Sequence, residues 1–79
     1  MPIVTAGRPG GADQSTVRVA DATWETGEAQ IRREAEALGG FVLDVLTWEP
    51  PLSSQYAPER NCDDLASVLV WLRTLDPTG

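Results

Sequence analysis

The chain has 79 residues, with 12 Asp and Glu against 6 Arg, no Lys, no His, one Cys and a net charge of −6. A polypeptide of this length forms one small unit at most, burying roughly 60% of the surface its unfolded chain exposes. The missing residue types remove most common catalytic plans, since there is no imidazole base, no Schiff-base amine and no lysine for a phosphate-binding loop.

Further classes fall on composition. A structural zinc site needs four N or S ligands, and Cys62 stands alone, which also excludes an internal disulfide. The acid excess repels phosphate backbones, and six arginines scattered from Arg8 to Arg73 make no basic stripe, so no direct nucleic-acid binding is expected. No run approaches the roughly 20 apolar residues of a membrane span, and residues 1–8 lack the basic start and apolar core of a secretory signal. The expectation is a cytoplasmic protein with no cofactor. Arg as the sole base, with abundant Ala, Gly and Pro, suggests a GC-rich bacterial or phage genome.

In chain order, residues 1–14 hold Pro2, Gly7, Pro9, Gly10 and Gly11 with few bulky apolar groups, and are expected to be a flexible tail ahead of a single small domain over 15–79. From Ser15 the pattern changes: Val17 and Val19 alternate with Thr16, Arg18 and Ala20, predicting a half-buried strand over about 15–21. Thr26 is the expected N-cap of a helix over about 27–38. Ile31, Ala35 and Leu38 form its apolar stripe, Glu28 and Glu36 flank Arg32 at i, i+4 spacing, and Gly39-Gly40 supplies a left-handed stop.

Phe41 to Trp48 is dense in β-formers and apolar on both faces except at Asp44, which predicts the central strand, with Trp48 closing the sheet edge. Strand, crossover helix and strand make a right-handed unit whose two strands are expected to be parallel neighbours. Residues 49–60, with three prolines and no periodicity, read as a functional loop. Asn61 is the expected cap of a second helix carrying Leu65, Val68, Leu69, Leu72 and Leu75, ended by Pro77, with Trp71 off the centre of that stripe and partly exposed. The predicted fold class is α/β: a small β-α-β-α unit with a short sheet packed by two helices, extended by any further short strands from the tail or loop.

Thr16-Val17-Arg18-Val19-Ala20, then Ala29-Gln30 with Glu36 to Gly40, then Arg60 leading into Leu65, Leu69 and Leu72 resemble the start of the serine recombinase (resolvase) catalytic domain. The resemblance covers about residues 16–75. It implies an anion-binding role for Arg18, but the position of the family's nucleophilic serine is Ala20. What it implies is therefore a catalytically dead domain retained for protein association, with Leu-rich helix two as a dimerising element.

Cys62, near the start of the second helix, would gain acidity from unpaired backbone amides and lose it to Asp63 and Asp64, and no base is present to use it, so it reads as a small packing residue. Paired carboxylates in glycosidase style need a cleft that a chain this short scarcely holds, and no catalytic or metal residues are assigned. Between Asp44 and Asp64 five acids face one Arg, so this segment carries −4 of the −6. The bland reading of Asp63 and Asp64 is helix-dipole complementation. Beside aromatic residues, however, such a segment has the composition of an interface. The expected partner-binding residues are Glu49, Glu59, Asp63, Asp64, Tyr56 and Trp71, and the expected partner is a basic protein or nucleoprotein complex, bound by a monomer or weak homodimer. In size, charge and lack of catalytic residues the chain is similar to small acidic phage inhibitors, including anti-CRISPR proteins, which implies an inhibitor acting by steric block or phosphate mimicry.

Overall fold

A computed structural model describes residues 1–10 and 14–75. The elements are β1 (Ile3–Gly7), β2 (Gln14–Val19), α1 (Asp21–Gly39), β3 (Val42–Leu46), β4 (Asn61–Cys62) and α2 (Leu65–Thr74). They form a mixed α/β fold with a four-stranded sheet in the order β3-β1-β2-β4.

Residues 3–7, expected within the flexible tail, are instead the strand at the middle of the sheet, antiparallel to β2 on one side and to β3 on the other. Ile-Val-Thr-Ala is too short to display a period, but it gains ladder partners on both sides, and Val4 and Ala6 are buried. Gly10, at φ 71°, lies in the turn toward β2, where a left-handed residue without a Cβ is unstrained. Residues 11–13 of the expected tail lie outside the described residues, as does Pro77.

Phe41 to Trp48 was expected to supply the central strand, yet β3 is an edge, with Val42 and Val45 exposed. β2 and β3 do run in the same direction, since both oppose β1, but β1 lies between them. The crossover through α1 therefore skips one strand, which strand-by-strand pattern could not reveal while β1 was taken for a tail. β4 adds to β2 in parallel.

α1 begins at Asp21, not near Thr26, because Ala20 leaves β2 with extended dihedrals and the helix follows at once. Thr26 lies inside it and turns its hydroxyl back onto the Ala22 carbonyl at 2.8 Å. The expected stop holds: Gly40 sits at φ 67°, its N–H donates to the Glu36 carbonyl at 2.9 Å, and the Phe41 N–H donates to that of Ala35 at 3.1 Å. Asn61, the expected cap of the second helix, is held in β4 opposite Arg18. The cap is Asp64, whose carboxylate accepts the Ser67 N–H at 2.8 Å.

Both helices cover the same face of the sheet. One core joins Val4, Ala6, Val17, Val19 and Leu43 of the strands to Trp24, Ile31 and Ala35 of α1 and Val68, Trp71 and Leu72 of α2. The helices approach closely at Gly27, where an added Cβ would lie 3.1 Å from Leu65 Cδ1. Among the described residues no helix is long and apolar enough to cross a membrane.

Candidate partner-binding surface

The surface follows from strand direction. Because β2, β3 and β4 run the same way, their carboxyl ends meet at one end of the sheet, together with the start of β1. Within three residues of these strand ends come Asp21 after β2, Trp48 and Glu49 after β3, and Asp63 and Asp64 after β4, with Met1 ahead of β1. Both helices begin here, so their N-terminal partial charges hold Asp21 and Asp64 favourably. Asp64's carboxyl is held below its usual value, chiefly by the hydrogen bond from Ser67. Arg8 and Arg73 fall toward the other end of the sheet.

The 47–60 connection must travel from the β3 edge to the β4 edge. It does so over the face the helices leave open. Glu49 accepts a two-pronged pair of hydrogen bonds from the Arg18 guanidinium, one of them 3.2 Å from Nη1 to Oε2. Farther on, the Glu59 N–H donates to the Thr16 carbonyl at 2.9 Å, and the Arg60 carbonyl accepts from the Arg18 N–H at 3.0 Å. Ile3, Thr5 and Thr16, which point to this face, are consequently buried. Within the loop the Ser54 and Ala57 N–H groups close turns onto Pro51 and Ser54 carbonyls, and the Tyr56 N–H bonds Ser54 Oγ at 3.0 Å. The loop is thus tied to itself and to the sheet.

Trp48 emerges from this framework 49% exposed, its ring met edge-on by Tyr56 with centroids 6.2 Å apart. Leu52, at the tip, is 95% exposed. Met1 is also exposed, and it shares with Ile3, Leu46, Thr47, Trp48 and Glu49 a shallow hollow of about 220 Å³. An exposed apolar aromatic group with a charged residue, Glu49, at its border has the make-up of an interface centre and part of its rim.

The expected site residues divide accordingly. Glu49, Asp63 and Asp64 all lie at the carboxyl end of the sheet, Glu49 next to Trp48 and its brace Tyr56 at the β3 edge, Asp63 and Asp64 at the opposite, β4 edge. Glu59 lies farther back, level with Thr16, 3.6 Å from Arg60. Trp71 does not belong to the surface at all: it is fully buried, and its indole N–H donates to Ser15 Oγ at 2.8 Å. The buried side of α2 runs through Val68, Trp71 and Leu72, leaving Leu65 and Leu69 only partly covered, because the helix turns toward the sheet rather than centring its leucines on it. Leu52 was missed; a lone leucine among Pro and Ser was its only signal.

No known protein family, curated protein or solved structure matches this chain. Its chemistry has to be read from its own groups. Cys62 is fully buried in β4, and burial pushes its thiol up, outweighing the opposing pull of Arg60, with Asp63, Asp64 and Glu59 adding to the rise. A thiol held neutral and covered is a packing group. Ala20, where the resolvase resemblance places a serine, is the half-buried residue joining β2 to α1. Arg18 is engaged by Glu49 on both prongs.

Proposed function

We propose that the protein is a non-enzymatic inhibitor that docks the acidic, aromatic end of its sheet onto a basic, nucleic-acid-handling protein in a bacterial cytoplasm. Trp48 and Leu52 are the apolar anchors. Asp63 and Asp64, joined by Asp21 and Glu49 as these exchange the Met1 amine and the Arg18 guanidinium for partner groups, meet arginines and lysines that would otherwise hold phosphates, so binding excludes the nucleic acid. The observation that carries the reading is Trp48, half-exposed yet braced by Tyr56 and next to Glu49, on the end of the sheet to which Asp21, Asp63 and Asp64 also belong. A full hydrophobic side chain gains about 1.5–3 kcal/mol on burial, so an exposed Leu52 and Trp48 leave much of that gain for an interface. Net charge of −6 supplies steering toward a basic target.

The test is affinity capture from the host at low and high salt, with the captured protein identified and its nucleic-acid binding assayed. A basic nucleic-acid-binding protein should be recovered at low salt and lost near 0.5 M, where the screening length shrinks to about 4 Å. Trp48→Ala and the pair Asp63→Lys, Asp64→Lys should each abolish capture and restore nucleic-acid binding. Recovery of nothing at either salt, or capture indifferent to these changes, overturns the proposal.

A further inference from the structure

The direction of every outward-facing backbone group on β3 can be worked out from the ladder. On β2, the Val19 N–H reaches the Pro2 carbonyl on the β1 side, whereas the Arg18 N–H and Thr16 carbonyl serve the β4 side. Odd residues of β2 therefore face β1, and through the register Val4↔Val17 and Ala6↔Ser15 the even residues of β1 face β2. Thr5 and its odd neighbours then face β3, so Val42, Asp44 and Leu46 complete that ladder. Leu43 and Val45 are left presenting N–H and C=O groups to the open edge. The same assignment explains why Arg32 of α1 can reach the Leu43 carbonyl, at 3.5 Å.

Beside this edge lies a groove of about 410 Å³ between β3 and α1, lined by Arg32, Glu36, Gly40, Phe41, Val42 and Leu43. Edges in stable monomers are blunted by lysines, prolines or bulges. β3 has none of these, and its Val42 and Val45 are 51% and 37% exposed on opposite faces. The guard it has is Arg32, drawn instead toward Glu28 at 2.9 Å and lying 5.7 Å from the Trp24 ring centroid. Glu28, Arg32 and Glu36 share one side of α1 at i, i+4 spacing, so two acids flank one base along the groove, while Asp44 is exposed on the opposite face of the strand, near Arg8.

We infer that the open edge of β3 takes an extended basic segment of the partner as a fifth strand, lying in the groove beside α1. This rests on the reading of the protein as a binder of a basic partner and adds how a second part of that partner is held. Main-chain bonds to Leu43 and Val45 supply affinity, and Glu28 and Glu36 select positive side chains on the α1 side of the incoming strand. The incoming strand's N–H takes the Leu43 carbonyl from Arg32. A second copy of the chain is disfavoured as the occupant, because pairing β3 with itself joins two chains of −6 into an assembly of −12 with its acidic grooves side by side.

The test uses the full chain, isotope-labelled, and a capped ten-residue peptide of alternating Arg and Thr, with the same peptide carrying Glu for Arg as the control. Amide exchange at Leu43 and Val45 should slow on adding the Arg peptide, with shifts along 42–46, and the Glu peptide should do nothing. Arg32→Ala removes the guard and a like charge, and should tighten binding about fivefold. Val45→Pro, which removes an outward N–H without touching the β1 ladder, should abolish it. Val45→Lys keeps the backbone donor and should weaken binding about fivefold through repulsion, serving if the proline variant fails to fold. Equal response to the Glu peptide, or effects confined to Trp48 and Asp63, would overturn the inference. So would protection at Leu43 and Val45 that grows with protein concentration alone, which would mark a second copy. Host capture that still depends on Trp48 while β3 ignores the peptide removes only the edge site; loss of capture removes the partner itself.

Discussion

Trp71 offers the sharpest check on the packing described above, because its sequence position suggested a surface residue and the structure puts it at the centre. A buried indole removes about 200 Å² from water, which at about 25 cal/mol per Å² amounts to about 5 kcal/mol, and truncation of buried aromatics to Ala costs about 3–5 kcal/mol. A chain of 79 residues has a total stability of about 4–12 kcal/mol, at about 0.05–0.15 per residue. Trp71→Ala is therefore expected to remove at least about a quarter of that stability, and nearly all of it at the lower end of the range. Trp71→Phe keeps most of the apolar volume but loses the bond to Ser15 Oγ and opens a small void, a loss of about 1–2 kcal/mol. With a urea slope of about 1 kcal/mol per molar for a chain this small, the midpoint should fall by about 1–2 M. Urea titration followed by far-ultraviolet circular dichroism measures it. Adding Ser15→Ala completes a double-mutant cycle whose coupling should be about 1 kcal/mol. An unchanged midpoint in Trp71→Ala would refute the reasoning, since no fully buried indole can be removed without loss.

Three further outcomes follow from particular residues. Asp64→Ala should lower the urea midpoint at neutral pH by removing the cap on Ser67, and the gap from the unaltered chain should close in acid. The sign is fixed: a carboxyl held below its unfolded value stabilises above that value, and the stabilisation is lost as pH falls through the lowered folded value. Gly40→Ala, at φ 67°, should destabilise by about 1–2 kcal/mol even though an added Cβ meets no atom within 4 Å, a strain readable by thermal unfolding. The Cys62 thiol should resist an aqueous thiol reagent in the native protein and react once urea unfolds it. Because burial raises its folded value, its contribution to stability should decline as pH climbs past the ordinary thiol range, a trend that Cys62→Ala should lack.

Some of the fold could be read from residues alone. Alternation at Val17 and Val19, the Gly39-Gly40 stop and the helical spacing of Val68 and Leu72 are local signals, and each marks a real element. What escaped depends on distant partners. Ile3–Gly7 is a strand because β2 and β3 bond it from both sides, and nothing within five residues announces that. Its absence from the sequence reading moved β3 from edge to centre, since an apolar strand with no better neighbour looks like the middle of a sheet. Asn61 looked like a cap because caps and strand ends draw on the same polar residues, and the Arg18 ladder decided between them. For the surface, the carboxylates were legible as a cluster in sequence, whereas their division between the sheet end and the Glu59 flank required the path of the 47–60 loop.

The position of β1 also bears on how the chain is made. A ribosome delivers the middle of this sheet first, so Ile3–Gly7 can close a hairpin with Gln14–Val19 early, while its other side stays open until Val42–Leu46 has been synthesised. The layer that covers Val4 and Ala6 is finished only when the final helix brings in Trp71. A nascent fragment ending before that helix would expose sticky apolar sheet to its neighbours, so the docking of α2 is the step that removes this aggregation hazard.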